Sequence, residues 1–571
     1  MRWRGVLVLS AALMLLLPAA APAAASDDPG HPGERIGAAE ATAVADRDAK
    51  VVAQRNEHPG LTSTANMVDG RWEVGYFADG EEVALVIVDP AEGEVRESWT
   101  GYQVAWKMAR GYSGAFGHKL NAPYVFLPLC AIFLLGLLDW RRPWRVANLD
   151  LLVLLGFGVS HLFFNRAQVG VSVPIVYPLL LYLFGRGLWI GVRGRGEGLR
   201  PVWPATWLLV AALFLVGVRV GLNVADSGAI DVGYASVVGA DRITHGEQLY
   251  DNFPEDVSQG DTYGPVNYWA YVPSEAVWPW SGSWDDLPAA HGAAVLFDLA
   301  TFALLFLLGR RIRPGPSGRT LAATLAFGWA AFPYTAYVLE SNSNDALVSV
   351  LLVATLLMLS RPAVRGALAA LATLTKFAPA LLVPMLITYR PPAEGPGTNV
   401  TPAGGTDDRG VEDSSARSAP RSSVTGPAAV RFVLAFLAVA VLVMLWPAID
   451  PGLATFWDRT IAYQADRNSP FSIWGQVDGI EPLRTGIFVL VAALAIAFAF
   501  WPRDKTLTQV AALGAALLIG AQLTAEHWFY LYIVWFYPLL LVALATVGEG
   551  RASPAAPGPS PARSRQPARL G

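Results

Sequence analysis

The side chains best suited to chemistry lie in one polar interruption, residues 223–289, between two apolar stretches of membrane-spanning length. This interruption carries eleven carboxylates against a single arginine and is rich in tyrosine and tryptophan. A carboxylate can accept the proton of a hydroxyl group while that hydroxyl attacks another atom. A loop that only tethers two helices does not need such residues, so we expect the segment to bind a substrate or to catalyse a reaction.

Asp231 is the first candidate for a general base. It follows an apolar stretch by only a few residues, so its carboxylate is expected at the membrane surface, beside the head group of an amphiphilic substrate. Asp226, five residues earlier, is the competing candidate. Both aspartates could instead solvate the loop or cap a helix, and the residues alone leave these alternatives open.

The composition is that of a polytopic α-helical membrane protein. The chain is 53% hydrophobic and 15% charged, with a mean hydropathy of +0.38. It contains many apolar runs of roughly 20 residues, the length that crosses a hydrocarbon core. The single cysteine, Cys130, excludes an intrachain disulfide, and neither a histidine metal motif nor a glycine-rich phosphate loop occurs.

The N-terminal part is expected to lie outside the cytoplasm. Residues 1–25 have a basic start, an apolar centre and small residues before Ser26, which favours a secretory signal peptide over a retained anchor helix. Residues 26–121 predict a small extracytoplasmic α+β domain, with a helix over Ile36–Gln54 followed by a β-meander. This pattern resembles the PepSY-like modules of bacterial envelopes and favours an accessory or docking role.

Eleven apolar segments of ordinary spanning length follow this domain. Residues 122–200 predict three accessory transmembrane helices, and residues 201–547 predict a membrane core with outer loops at 223–289 and 449–484. Arginines cluster in alternate connecting loops, which the positive-inside rule assigns to the cytoplasm. The acidic interruption then lies outside.

The segment 363–389 is the point on which this topology depends. A single span would place the later arginine clusters outside, whereas a hairpin of two short helices broken near Lys376 and Pro379 returns them to the cytoplasm. The charge distribution favours the hairpin and a total of about 11 to 13 transmembrane helices. Residues 390–427 and 548–571 are rich in Pro, Gly, Ser and charges, which predicts disordered cytoplasmic segments.

Several short motifs occur in a specific order. They are Asp231-Val-Gly-Tyr234, Gly246-Glu-Gln-Leu-Tyr250, Tyr263-Gly-Pro265 and Thr375-Lys376-Phe-Ala-Pro379. Their order over roughly residues 202–547 resembles that of the family 87 glycosyltransferases of the type C membrane class. The chain departs from that family in its N-terminal domain, in the three helices that follow it, and in Tyr-Gly-Pro where the family often has Tyr-Pro-Pro.

The resemblance implies a type C bundle that moves a sugar, expected to be mannose, from a polyprenyl-phosphate donor to an envelope glycan or glycolipid acceptor. A single displacement on the outer face would invert the anomeric configuration, with Asp231, or alternatively Asp226, as general base. A leaving lipid phosphate needs positive charge or hydrogen-bond donors. The implied substrate-binding residues are Tyr234, Tyr250, Tyr263, Asn342, Asn344, Lys376, Arg459, Arg467 and His527.

Several of these residues have plain structural explanations. A lysine at the centre of an apolar segment costs about 2.5–3.5 kcal/mol on insertion, so Lys376 has either a function or a partner, for which Asp298 is a candidate. Arg459 and Arg467 each follow an aspartate, a pattern typical of solvated salt bridges. Helix capping accounts for Asn344.

No cofactor and no nucleic-acid partner are expected. The acidic loop could bind a divalent cation, but no spacing of its carboxylates demands one. Membrane lipids are expected partners. Two other functions remain open at this stage: a membrane transporter or lipid flippase, and a non-enzymatic envelope scaffold.

Overall fold

The computed structural model describes residues 36–68, 70–110, 118–391, 426–465, 467 and 469–548. The chain forms two compact units, Met1–Lys107 and Met108–Gly571, which are described separately. The predicted signal peptide, nearly all of the predicted linker 390–427 and the tail beyond residue 548 lie outside the described residues.

The first unit is a four-stranded antiparallel sheet packed against two helices. The strands β1 (Thr62–Val68), β2 (Arg71–Ala78), β3 (Glu81–Val88) and β4 (Val95–Thr100) pair in sequence order, which makes a meander. Alternate residues of β2 and β3 point towards helices α1 (Ala38–Ala45) and α2 (Ala49–Glu57). The shared core contains Ala41, Ala45, Val51, Val74, Tyr76, Ala84, Val86 and Val88.

The single helix expected over Ile36–Gln54 was wrong, because the structure has two helices separated at residues 46–48. Asp48 lies at the break, where its side chain accepts a hydrogen bond from the Lys50 N–H at 2.9 Å and caps α2. Asp46 accepts the hydroxyl of Tyr76 at 2.8 Å. Strand β1 was not predicted, and the PepSY-like resemblance stays a prediction.

The second unit is helical. Its longer helices are α3 (Pro123–Leu137), α4 (Val146–Phe164), α5 (Val169–Arg193), α6 (Ala205–Asp226), α7 (Asp231–His245), α8 (Pro288–Ile312), α9 (Gly315–Ala331), α10 (Pro333–Glu340), α11 (Asp345–Leu357), α12 (Pro362–Thr373), α13 (Pro427–Pro447), α14 (Glu481–Phe500), α15 (Leu507–Leu523) and α16 (Ile533–Thr546). Short helical turns complete it: His118–Asn121, Glu255–Val257, Pro265–Trp269, Val272–Glu275, Ala378–Leu382, Val383–Ile387, Ala448–Gly452, Leu453–Trp457, Asp458–Ala462, Tyr463–Ala465 and Tyr530–Tyr532. Two more short turns are Tyr102–Ala105, in the first unit, and Lys107–Arg110, at the boundary between the units.

Six helical segments of the described chain are long and apolar enough to cross a membrane: Val146–Phe164, Val169–Arg193, Ala205–Asp226, Pro288–Ile312, Pro427–Ala465 and Glu481–Phe500. Five shorter apolar helices accompany them. The expected 11 to 13 spans are therefore not confirmed. One reason is Pro333, which ends α9 and starts α10 within a segment predicted as one span, since proline lacks the backbone donor that a continuous helix needs.

The helices pack around α9, α11, α15 and α16, whose side chains are largely buried. α15 contacts α5 and α16, while α9 contacts α6 and α8. Buried ion pairs join neighbouring helices. Arg219 of α6 meets Asp298 of α8 at 2.8 Å, and Trp329 of α9 donates to the same Asp298 oxygen at 2.9 Å.

The segment after α11 folds back on itself. α12 ends at Thr373, a short non-helical stretch contains Lys376, and two helical turns return from Ala378 to Ile387. The guanidinium of Arg365, near the start, lies 5.2 Å from the ring of Tyr389, near the end. Both ends therefore lie together, and the segment is the hairpin that the charge distribution predicted, with Lys376 at its tip.

The acidic interruption is largely folded rather than a loose loop. α6 continues to Asp226. After residues 227–230, α7 begins at Asp231. Three short helical turns follow between Glu255 and Glu275 before α8 starts at Pro288. This arrangement fixes Asp231 at the first turn of a helix.

We predict that Arg219→Met destabilises the protein by about 3–5 kcal/mol, because it leaves the Asp298 carboxylate buried without its cation. The double variant Arg219→Met with Asp298→Leu should recover most of that loss. Thermal unfolding of the purified protein in detergent measures both. Equal losses in the single and double variants would contradict this account of the pair.

Candidate functional site

A cavity of about 190 Å³ lies at the N-terminus of α7. Three parts of the chain form its walls: the first turn of α7, the segment 256–263, and the middle of the second polar loop, 449–484. The lining residues are Asp231, Val232, Ala235, Asp256, Val257, Ser258, Gln259, Gly260, Thr262, Tyr263, Tyr463 and Arg467. Two of the predicted loops therefore meet at one site.

Asp231 provides the carboxylate of this cavity. Its side chain is exposed to the cavity, while the protein atoms packed around the cavity partly desolvate the carboxyl. This desolvation raises the pKa of the Asp231 carboxyl above its ordinary value. The Val232 N–H, bonded at 2.9 Å, and the cations Arg467 and Lys376 partly oppose the shift.

Lys376 lies beside the cavity in a cage of aromatic rings. Its Nζ is 5.0 Å from the Tyr263 ring, 5.1 Å from Trp535 and 5.6 Å from Tyr532. The same Nζ donates to Asp345 Oδ1 at 2.5 Å, and the side chain is only 6% exposed. The partner of Lys376 is therefore Asp345 and not Asp298, which pairs with Arg219.

The Tyr-Gly-Pro element docks directly on the hairpin tip. The N–H of Gly264 donates to the carbonyl of Thr375 at 3.2 Å, and the N–H of Val266 donates to Leu374 at 3.1 Å. A Cβ at Gly264 would lie 1.9 Å from the Leu374 oxygen. Glycine is needed here because of this close approach, and proline could not donate the hydrogen bond. The departure from Tyr-Pro-Pro thus has a structural reason.

Arg467 completes the charged group of the cavity. Its positive charge acts on the carboxyl of Asp231 and on the hydroxyls of Tyr263 and Tyr532. His527 lies close to it, with its Nδ1 2.9 Å from Ser469 Oγ. Burial, and then the Arg467 charge, holds the pKa of His527 well below its usual value, so its imidazole is neutral. Asp466 and Asn468 lie outside the described residues.

Arg459 holds the two polar loops together. Its Nε and Nη2 donate to the two carboxylate oxygens of Asp261 at 2.7 and 2.8 Å. Asp261 is fully buried and also accepts the N–H of Asp251 at 2.7 Å. The guanidinium of Arg459 is therefore bound by Asp261, and Arg459 is not among the residues that line the cavity, whereas Arg467 is.

Two of the predicted tyrosines hydrogen-bond to residues that line the cavity. The Tyr234 ring stacks on Trp284 at 4.8 Å, and its hydroxyl donates to Asp256, a cavity residue, at 3.1 Å. Tyr250 is buried and donates its hydroxyl to the carbonyl of Tyr263 at 2.9 Å. Tyr263 itself lies in the cavity wall.

The remaining predicted residues hold the backbone around α7. Asn342 accepts from Asn223 Nδ2 at 2.9 Å and donates to Ser227 Oγ at 3.0 Å. Asn344 donates to Ser236 at 3.2 Å. Asp226, the rival general base, lies at the end of α6, accepts the N–H of Lys119 and is not among the residues that line the cavity.

Sequence reasoning missed Asp256 and Tyr463 in the cavity wall and the Tyr532–Trp535 pair around Lys376. The pair was detectable in principle, because aromatic residues three apart share one helix face. For Asp345 the sequence suggested either helix capping or substrate binding, and the structure shows it instead as the counter-ion of Lys376. Among the described residues, no group of three or more His, Cys, Asp or Glu side chains is placed to hold a metal ion.

We predict that Arg467→Gln raises the pKa of Asp231 further, because the variant removes a cation that stabilises the carboxylate. Arg467→Lys should preserve most of the native value. Infrared difference spectroscopy against pH follows the protonated carboxyl band, which Asp231→Asn identifies. A titration midpoint that does not move to higher pH in Arg467→Gln would contradict the geometry.

The comparison with protein families gives one match, and no curated protein matches the chain. The sequence model of glycosyltransferase family 87 matches residues 262–403, about a quarter of the chain. The matched region contains Tyr263 and Lys376 but neither Asp231 nor Arg467. Together with the apolar helices, this similarity indicates a membrane glycosyltransferase.

Proposed function

We propose that the protein transfers a sugar, mannose in the first instance, from a polyprenyl-phosphate donor to a glycan or glycolipid acceptor on the outer face of a bacterial cell membrane. The observation that carries the proposal is the cavity in which the Asp231 carboxylate faces Arg467, next to Lys376. A carboxylate and cations at one cavity match the two demands of the reaction, which are removal of a proton and stabilisation of a departing phosphate.

The proposed reaction is a single displacement. The acceptor hydroxyl gives its proton to Asp231, and its oxygen forms a new bond to the anomeric carbon. The bond between that carbon and the phosphate oxygen breaks, and the phosphate leaves with the electron pair. Attack opposite the leaving group inverts the anomeric configuration. The raised pKa of Asp231 supports the base role, because a base works best when its pKa lies near the operating pH.

Arg467 is the proposed ligand of the departing phosphate. It lines the cavity, and its planar guanidinium can donate two parallel hydrogen bonds to a phosphate. Lys376 contributes a second positive charge from the cage, where Asp345 already binds it. Arg459 has a positioning role, because its pair with Asp261 keeps the Arg467 loop against the segment 256–263.

Asp256, Gln259 and Tyr463 are the proposed contacts of the transferred sugar. These side chains line the cavity between the carboxylate and the arginine and offer acceptors, donors and an aromatic face. Tyr234 fixes Asp256 through its hydroxyl, so it acts on the sugar indirectly.

We expect Asp231→Asn to lower the rate of transfer by about 10²- to 10⁴-fold, the range typical of general-base catalysis. The assay uses membranes that contain the full-length protein with labelled polyprenyl-phosphate mannose or arabinose. The matched control is Asp241→Asn, in the last turns of the same helix, where Asp241 contacts His245. Retained transfer by Asp231→Asn would show that Asp231 is not the base. No transfer by the unaltered protein with either donor would make a transporter or scaffold the better description.

Arg467→Gln and Arg459→Gln should fail in different ways. The first removes a phosphate ligand, so the KM for the donor should rise or kcat should fall while the unfolding temperature stays near that of the wild type. The second leaves Asp261 buried and unpaired, so the unfolding temperature should fall. Donor titrations and thermal unfolding distinguish the two. A purely thermal effect in both variants would remove Arg467 from the proposed reaction.

A further inference from the structure

A second and larger cavity, the lateral groove, lies between the end of α6 and the start of α8. Its volume is about 790 Å³. Its walls come from the last turns of α6, the turn at residues 273–278, and the segment that leads into α8. The groove lies at the same end of α6 as Asp231, because α7 starts directly after this helix end.

The lateral groove is polar at one end and apolar along its length. Asp285 and Asp286 stand just before α8 begins, and Asn223 lies near the end of α6. Val220 and Leu296 lie further along their helices, where Leu296 is about 12 Å from the start of α8 at 1.5 Å per residue. An elongated groove of this kind fits an amphiphile with a polar head and an apolar chain.

The charge of the lateral groove selects among amphiphiles. Its walls carry two aspartates and no lysine or arginine among the residues described. Asp285 and Asp286 are exposed, and within the described chain neither carboxylate has an ion-pair partner. Such walls repel a lipid phosphate and offer hydrogen-bond acceptors to hydroxyl groups.

Ser274 gives an independent sign of a ligand. It is only 7% exposed and lies in the groove wall, yet its hydroxyl has no partner among the described residues. Its hydroxyl is not among the fully buried polar atoms that lack a partner, so the oxygen is accessible from the groove, where it can donate to or accept from a ligand hydroxyl. Trp278 is 46% exposed beside it and presents an indole ring.

Hydrogen bonds connect the wall of the lateral groove to the residues that precede Asp231. Asn223 in its wall hydrogen-bonds to Asn342, which in turn donates to Ser227. Ile230 donates its N–H to the carbonyl of Ser341 at 3.2 Å. Residues 225–230 separate the groove-lining Val224 from Asp231 along the chain, and Arg467 lines the cavity at Asp231 rather than the groove.

We propose that the lateral groove binds the acceptor, an uncharged glycolipid whose chain lies along α6 and α8 and whose sugar lies at Asp285, Asp286 and Ser274. This assignment rests on the proposed transfer reaction. The anionic donor is held from the Arg467 side, so the two lipids approach Asp231 from different directions and their charges are kept apart.

The test is photocrosslinking of the full-length protein in lipid nanodiscs. The probe is a glucosyl diacylglycerol with a diazirine on one chain, and a phosphatidylcholine with the same chain reports general lipid contact. We expect the glycolipid probe to label α6 or α8 at the groove several-fold more than phosphatidylcholine does. Excess unlabelled glucosyl diacylglycerol should compete, and an equal amount of polyprenyl phosphate should not.

Variants make the result specific. Val295→Trp fills the groove and should remove most of the labelling, whereas Leu299→Trp, four residues further along an exposed face of α8, should not. In the double variant Asp285→Asn with Asp286→Asn, polyprenyl phosphate should become able to compete with the glycolipid probe for labelling. Equal labelling by both probes, or competition by polyprenyl phosphate in the unaltered protein, overturns the proposal.

The labelling needs no turnover, so it separates the groove from the reaction. If Asp231→Asn keeps transfer while the glycolipid labels the groove selectively, the proposed base is wrong and the lipid site stands. If Asp231→Asn loses transfer and labelling is unselective, the reaction stands and the acceptor enters elsewhere. In the transfer assay, Val295→Trp should raise the KM for the acceptor and leave that for the donor unchanged.

Discussion

The buried lysine at the tip of the hairpin is the constraint on which the site depends. An ammonium that is only 6% exposed must have a counter-ion, and Asp345 provides one at 2.5 Å. Three aromatic rings surround the ammonium group of Lys376. Tyr263 comes from the acidic interruption, and Tyr532 and Trp535 come from the last part of the described chain. The pair therefore joins segments that are distant in sequence, and the loop that holds Tyr263 can dock only where the hairpin tip is in place.

This docking forms the cavity at Asp231. Gly264 and Val266 bond to the hairpin backbone, while Arg459 and Asp261 bind the second polar loop to the first. Asp231 and Arg467 then line the same cavity between the two loops. The acidic wall of the lateral groove, with Asp285 and Asp286, is a separate surface at the start of α8.

The sequence predicted the helical membrane class, three strands of the meander of the first unit and the hairpin at 363–389, and the catalytic role of Asp231 stays a prediction. These predictions rest on local signals such as apolar run length, turn residues and charge in short loops. The number of spans was not predictable in this way, because Pro333 divides one apolar run and α11 has only 13 residues. Composition does not reveal such breaks or how deep a short helix lies.

The sequence by itself determined which residues could carry charge in an apolar chain and in what order they occur. The tertiary structure decided their roles. It gave Lys376 the partner Asp345 rather than Asp298, assigned Arg459 to Asp261, and left Arg467 in the cavity. The physical reason is that a buried charge takes whichever counter-ion the packing brings within a few ångströms, and that distance depends on contacts between segments remote in sequence.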